Sequence, residues 1–264
     1  MLPLSEFPVA ARHAVRGVLF DIDDTLTTAG RLTAAAYSAM ERLLAAGLVA
    51  VPITGRPAGW CDHIARMWPV SGVVGENGAF YFRYDRAEHK MIRRYVDDAA
   101  VRAARREQLQ KIGTEITTAV AGAAIAADQQ YRETDLAIDY CEDVARLPPA
   151  AVERIAAMMR GRGLTAKVSS IHVNGWAGTY DKLVMTKTFL RDAFDADLDA
   201  TRREYVFVGD SPNDAPMFAF FPHAVGVANV RAFAGHLDHE PAYVTTAEAG
   251  AGFCEVVDCL LSGR

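Results

Sequence analysis

The sequence predicts an α/β fold, a doubly wound parallel sheet carrying an inserted α+β domain, and two patterns lead to that prediction. Short apolar runs at both ends of the chain alternate with segments of helical spacing, and each run stops abruptly at polar residues. The middle of the chain loses this rhythm. With 264 residues, 51% hydrophobic and 23% charged, the chain can bury a sizeable core.

Residues 15–20 form the first run and end at Asp21, as expected of a strand buried on both faces whose carboxyl end carries polar groups. Apolar spacing predicts a helix over 32–46, opened by Thr33 as N-cap and stopped by Gly47. A second strand over 48–53 ends in Thr54-Gly55-Arg56-Pro57. A helix over 59–67 leads to a third strand, 72–75, which runs into Glu76-Asn77-Gly78-Ala79. The alternation resumes with a helix over 183–194, a strand over 205–208, a helix beginning near Asp214, and strands over 224–227 and 242–244.

Between these halves lie a long Ala- and Arg-rich helix (98–121), a strand (136–140), a helix (149–160) and a strand (164–168). The expected organisation is a core formed by 1–82 and 182–264, with 83–181 inserted between its third and fourth strands. The segment 171–176 alternates apolar and polar residues like a strand with one exposed face, so His172, Asn174 and Trp176 either line a substrate pocket or pack within the insertion.

A formal net charge of −5 gives no broad attraction for nucleic acid or anionic membranes, so neither is expected as a partner. A small anionic substrate then needs a local cation. Pro3, Glu6 and Pro8 interrupt any apolar signal core, and no stretch approaches 18 uninterrupted apolar residues; a cytoplasmic protein is the expectation. The cysteines, Cys61, Cys141, Cys254 and Cys259, form no CxxC pair, which points to reduced thiols. His236-Leu237-Asp238-His239 has a metal-binding spacing, yet nothing near it completes a ligand set, so a surface loop is expected.

Three polar clusters follow three predicted core strands: Asp21-Ile22-Asp23-Asp24, Thr54-Gly55-Arg56, and Gly209-Asp210-Ser211-Pro212-Asn213-Asp214. In a parallel sheet such ends converge on one crevice. Carboxylates gathered there repel one another unless a divalent cation neutralises them, and an all-oxygen donor set suits Mg²⁺ better than Zn²⁺. A calcium loop of the EF-hand kind would need Gly and Glu where Leu26 and Leu32 stand, and is excluded.

Asp21-Ile22-Asp23-Asp24-Thr25-Leu26, Thr54-Gly55-Arg56, Glu76-Asn77-Gly78-Ala79, a lysine after the insertion, and Gly209-Asp210-Ser211-Pro212-Asn213-Asp214 resemble, in this order, the motifs of the haloacid dehalogenase-like hydrolase superfamily. The place of the insertion resembles the class IIB, Cof-type branch, which includes many sugar phosphatases. The resemblance implies a Rossmann-like core and a Mg²⁺-dependent phosphatase acting on a small phosphorylated metabolite, plausibly a sugar phosphate, through an aspartyl-phosphate. It implies Asp21 as nucleophile, Asp23 as general acid and base, Thr54 as a donor to the phosphoryl group, and a lysine as its positive charge. Lys182 fits that lysine's place better than Lys187. The implied metal set is Asp21, the backbone carbonyl of Asp23 and Asp210, with Asn213 and Asp214 supporting.

Gly55, Arg56, Asn77, His172 and Asn174 are the expected substrate contacts, although Arg56 also reads as a contact to the inserted domain or a loop arginine and Asn77 as a turn residue. The insertion is expected to act as a lid. Two rivals remain: a phosphosugar mutase or phosphotransferase using the same intermediate, and a catalytically idle binding protein of the same fold. Every catalytic position holds a competent residue, which argues against the second.

Overall fold

A computed structural model describes residues 1–235 and 237–262; His236 lies outside the described residues. Six parallel strands form the main sheet in the order Leu2–Pro3, Tyr243–Val244, Val225–Gly226, Tyr205–Gly209, Gly17–Phe20 and Val49–Pro52. The sequence GVLF of the central strand has no polar alternation because both its faces are covered. Val18 and Phe20 pack with the helices Ala34–Ala45 and Ala249–Leu261, while Leu19 packs on the opposite face with Lys182–Phe194 and Ala215–Phe220. Thr33 caps the first of these helices, its side chain accepting from the Ala36 N–H at 3.2 Å.

The chain builds outward from Gly17–Phe20 in one direction, then returns at Tyr205–Gly209 to build in the other. The carboxyl ends of these two neighbours are therefore the switch point of the sheet, where a crevice opens. Asp21 follows one of them and Asp210 the other.

Strand Val73–Gly75 joins the main sheet through one parallel bridge, Ile53 to Val74, and otherwise pairs antiparallel with Phe80–Asp85, which turns back as Lys90–Tyr95. The sheet edge is thus finished by a hairpin absent from the sequence reading, and its first strand runs across residues 82 and 83. Aromatic side chains seat it: Phe80 stacks on Phe82 at 4.4 Å between ring centroids.

Beyond the hairpin, four antiparallel strands, ordered Ala124–Ile125, Asp135–Asp139, His172–Trp176 and Thr165–Val168, form a second sheet. Helices Ala99–Ala119 and Pro149–Gly161 cover one face of it, burying Leu136, Ile138 and Val173. Cross-strand register places Asp139 with His172, Ala137 with Asn174 and Lys167, and Asp135 with Trp176 and Thr165, all on the opposite face. That polar face lies over the crevice of the main sheet. Among the described residues no helix is long and apolar enough to cross a membrane, and the four cysteines are free thiols.

Candidate active site

Three predicted residues meet directly. Lys182, the first residue of the helix Lys182–Phe194, places its Nζ 2.7 Å from Asp21 Oδ1 and 2.8 Å from Asp214 Oδ1, with all three side chains buried. The helix is opened by Asp181, whose carboxylate accepts the Val184 N–H, so the cap fixes where the lysine begins. Lys187 pairs instead with Asp199 and lies over the Phe220 ring, on the far side of the same helix.

Asp214 closes a capping box with Ser211, whose N–H donates to its Oδ2; that oxygen also accepts the Asp210 N–H at 3.1 Å, and only a glycine at 209 leaves room for it, since a Cβ there would stand 2.5 Å away. Asp210 accepts the Thr25 hydroxyl at 3.1 Å and the Asn229 amide at 3.3 Å. Asn229 also holds the Asp24 carbonyl, tying the ends of three strands together. Asn213 accepts the Ser211 hydroxyl at 2.8 Å through its amide oxygen.

One carboxylate oxygen from each of Asp21, Asp210 and Asp214 lies within 4.8 Å of the others. Burial pushes Asp21 up to about 7, helped by Asp214 and Asp23 and opposed by Lys182. Burial, with Asp21, Asp214 and Asp24, likewise pushes Asp210 well above the usual carboxylate range. One ammonium is too little positive charge for three buried carboxylates, and the all-oxygen donor set fits a hard divalent cation.

Arg56 takes up one of its expected roles, a contact to the inserted domain, and does so while paired with Asp23. Arg56 grips Asp23 in a two-pronged ion pair, with Nη2 at 2.7 Å and Nε at 3.0 Å, and the same Nη2 reaches Glu142 of the inserted domain at 2.7 Å. His172 approaches the other oxygen of Glu142 at 2.9 Å, as an ion-pair contact outside straight hydrogen-bond alignment. Arg56 is therefore a buried loop arginine that holds Asp23 and the inserted domain together and is not a free phosphate ligand. A slot of only about 10 Å³ separates Asp21 and Asp23 from His172 and Asn174, so the two domains are closed on each other.

Thr54 is buried, and its hydroxyl oxygen accepts the Arg56 N–H at 3.0 Å, which leaves its proton free to donate. Asn77 sits at φ 56, its N–H bound to the Thr54 carbonyl and its side-chain NH₂ buried without a partner. Gly55 donates no side chain; its carbonyl accepts Arg132 of the insertion at 2.8 Å. Asn174 holds Asp135 at 2.9 Å, and Asp135 in turn pairs with the buried Arg132. Trp176 is buried, with its indole N–H on the Tyr180 carbonyl.

Several contacts had no sequence signal. Glu76, at φ 42, accepts from the backbone N–H groups of Ala58, Glu133 and Thr134, so a core carboxylate organises a loop of the insertion. Gly78, at φ 103, lies so close to the insertion's exit that a Cβ would stand 2.0 Å from the Asp181 carbonyl. Asn229 alone had a faint signal, as a polar residue just past a core strand.

The fold is similar to that of solved haloacid dehalogenase-like hydrolases, class IIB phosphatases among them. A protein from Thermoplasma acidophilum is similar in structure, at a TM-score of 0.67 and 19% identity over 93% of this chain and 98% of that one. The sucrose-phosphatase of Synechocystis sp. PCC6803, solved with sucrose and phosphate, aligns at 0.60 and 13% over 92% and 97% of the two chains. A HAD subclass IIB sugar phosphatase aligns at 0.60 and 14% over 93% and 96%. At these identities the similarity is one of fold. No family model and no curated protein matches the chain by sequence.

Proposed function

We propose that this chain is a Mg²⁺-dependent phosphatase that hydrolyses a small phosphorylated metabolite of the sugar-phosphate class through an aspartyl-phosphate on Asp21. The observation that carries the reading is Lys182 set between Asp21 and Asp214, with Asp210 alongside, at the switch point of the sheet. Asp21, Asp210 and the backbone carbonyl of Asp23 would hold the ion, while both oxygens of Asp214 are engaged in positioning Lys182 and the 210–211 turn. When bound, Mg²⁺ supplies charge neutralisation that lets Asp21 stay ionised and a phosphoryl group approach it.

Asp21 attacks phosphorus with one carboxylate oxygen; an O–P bond forms as the ester P–O bond breaks. Lys182 and the free Thr54 proton stabilise charge spreading over the phosphoryl oxygens. Asp23 gives its proton to the departing oxygen, then takes one from the water that cleaves the aspartyl-phosphate. For this Asp23 must leave Arg56, and the slot of about 10 Å³ must widen, so substrate entry requires the insertion to lift. The structural similarity to sugar phosphatases supports the substrate class.

Hydrolysis of p-nitrophenyl phosphate with Mg²⁺ tests the reading. Asp21→Asn should lose at least about 10³-fold in kcat with an unchanged melting profile. Full activity in that variant would remove Asp21 as nucleophile.

A further inference from the structure

The crevice has a second compartment that the proposed chemistry leaves unused. A cavity of about 140 Å³ opens beside Lys182 and Asn213, walled by Asn77 and by Thr165, Lys167 and Tyr180 of the insertion. Asn213 lines this cavity and the closed slot alike, so both belong to one crevice.

Its walls are unbalanced in hydrogen bonding. The Asn77 side-chain NH₂ is buried, with its residue 3% exposed, and has no acceptor. The amide oxygen of Asn213 is taken by Ser211, and its NH₂ has no partner among the described residues. Thr165 donates its hydroxyl to the Gly178 carbonyl, and the Asp181 carboxylate at the margin is held by its helix cap. A buried unpaired donor such as the Asn77 NH₂ is rare in folded proteins, and the Asn213 NH₂ is open to an incoming acceptor.

Charge points the same way. Around the crevice, Lys182 is paired with Asp21 and Asp214, Arg56 with Asp23 and Glu142, and Arg132 with Asp128 and Asp135. Lys167, half-buried on the crevice-facing side of strand Thr165–Val168, has no carboxylate or other hydrogen-bond partner among the described residues. A half-buried ammonium kept unpaired beside orphan amide donors suits an incoming anion.

Resting on the phosphatase reading, we infer that the substrate carries a second anionic group, a carboxylate or a second phosphate, in addition to the ester phosphate at Asp21. Lys167 reads that group, with the Asn77 and Asn213 amides as its neutral donors. Lys167 is a specificity-determining residue supplied by the insertion, and the reaction that makes the substrate must phosphorylate a hydroxy acid or an already phosphorylated alcohol.

Binding decides the matter without turnover. Isothermal titration of the full chain with Mg²⁺ compares phosphonoacetate, 3-phosphonopropionate and propane-1,3-diphosphonate with the singly charged-end control propylphosphonate. At least one of the first three should bind about tenfold or more tighter than the control, and the preferred one tells carboxylate from phosphate. Lys167→Met and Lys167→Gln should both erase that preference, and Lys167→Arg should restore most of it; two uncharged variants guard against one that misfolds. No preference in the wild type, or a preference that survives both variants, overturns the inference. The phosphatase reading fails separately, if the wild type does not hydrolyse p-nitrophenyl phosphate.

Discussion

The core and the insertion both present polar side chains to the crevice, but they encode them in opposite ways. In the core the functional residues are contiguous, as in Asp21-Ile22-Asp23-Asp24 and Gly209–Asp214, because a parallel strand ends and its following loop turns over the sheet. In the insertion they are every second residue of strands, His172, Asn174 and Trp176 on one and Thr165 and Lys167 on the next. Their alternation is also what any half-buried strand shows. On the proposed reading, reaction chemistry is written in local runs, and substrate recognition is hidden in ordinary amphipathic patterning.

Substitutions on the two sides should separate these roles. The largest effect belongs to the core: Lys182→Met should lower kcat on p-nitrophenyl phosphate by about 10²- to 10³-fold, measured at saturating Mg²⁺. A fall confined to KM would place Lys182 in binding alone. Next comes the clamp between the regions. Arg56→Met leaves Asp23 without its ion-pair partner and Glu142 with only the His172 contact, and should destabilise the chain by about 3 kcal/mol in urea melts.

Glu142 offers a smaller, pH-dependent test. The His172 contact, together with Arg56 and against burial, holds its carboxyl down at about 2, below the ordinary 4.5. A lowered folded value stabilises above the ordinary value and is lost as pH falls toward the lowered one. Glu142→Gln should therefore be less stable than wild type by about 1 kcal/mol at neutral pH, with the gap closing between about pH 4.5 and 2. A gap that persists at pH 2 would make the residue's packing, not its charge, responsible. The smallest effect is Lys187→Met: its partner Asp199 is exposed, so stability should shift by less than about 0.5 kcal/mol and kcat should hold.

The same contrast explains what could be read in advance. The alternating elements and the Thr33 cap follow from local spacing, whereas the choice of Lys182 over Lys187 rests on the family resemblance. The hairpin Phe80–Tyr95 did not, because Lys90, Arg93 and Arg94 give its second strand the look of a solvated loop while its aromatic residues do the packing. Glu142 and Glu76 were equally hidden. Their partners, Arg56 and the 133–134 backbone, lie 86 and 57 or more positions away, a separation no periodicity reports.

Gly78 carries a consequence for how Lys182 is held in place. It stands just before the hairpin and insertion, yet touches the carbonyl of Asp181 where the chain comes back. Departure and return therefore share a single rivet, and some hundred residues hang from it like a tool in a chuck. The placing of Lys182 depends on that chuck, where Asp181 caps its helix. A methyl group at position 78 would press on the Asp181 carbonyl and on the Lys182 backbone N, 2.0 and 2.8 Å away, and so disturb the lysine that pairs with Asp21 from outside the crevice.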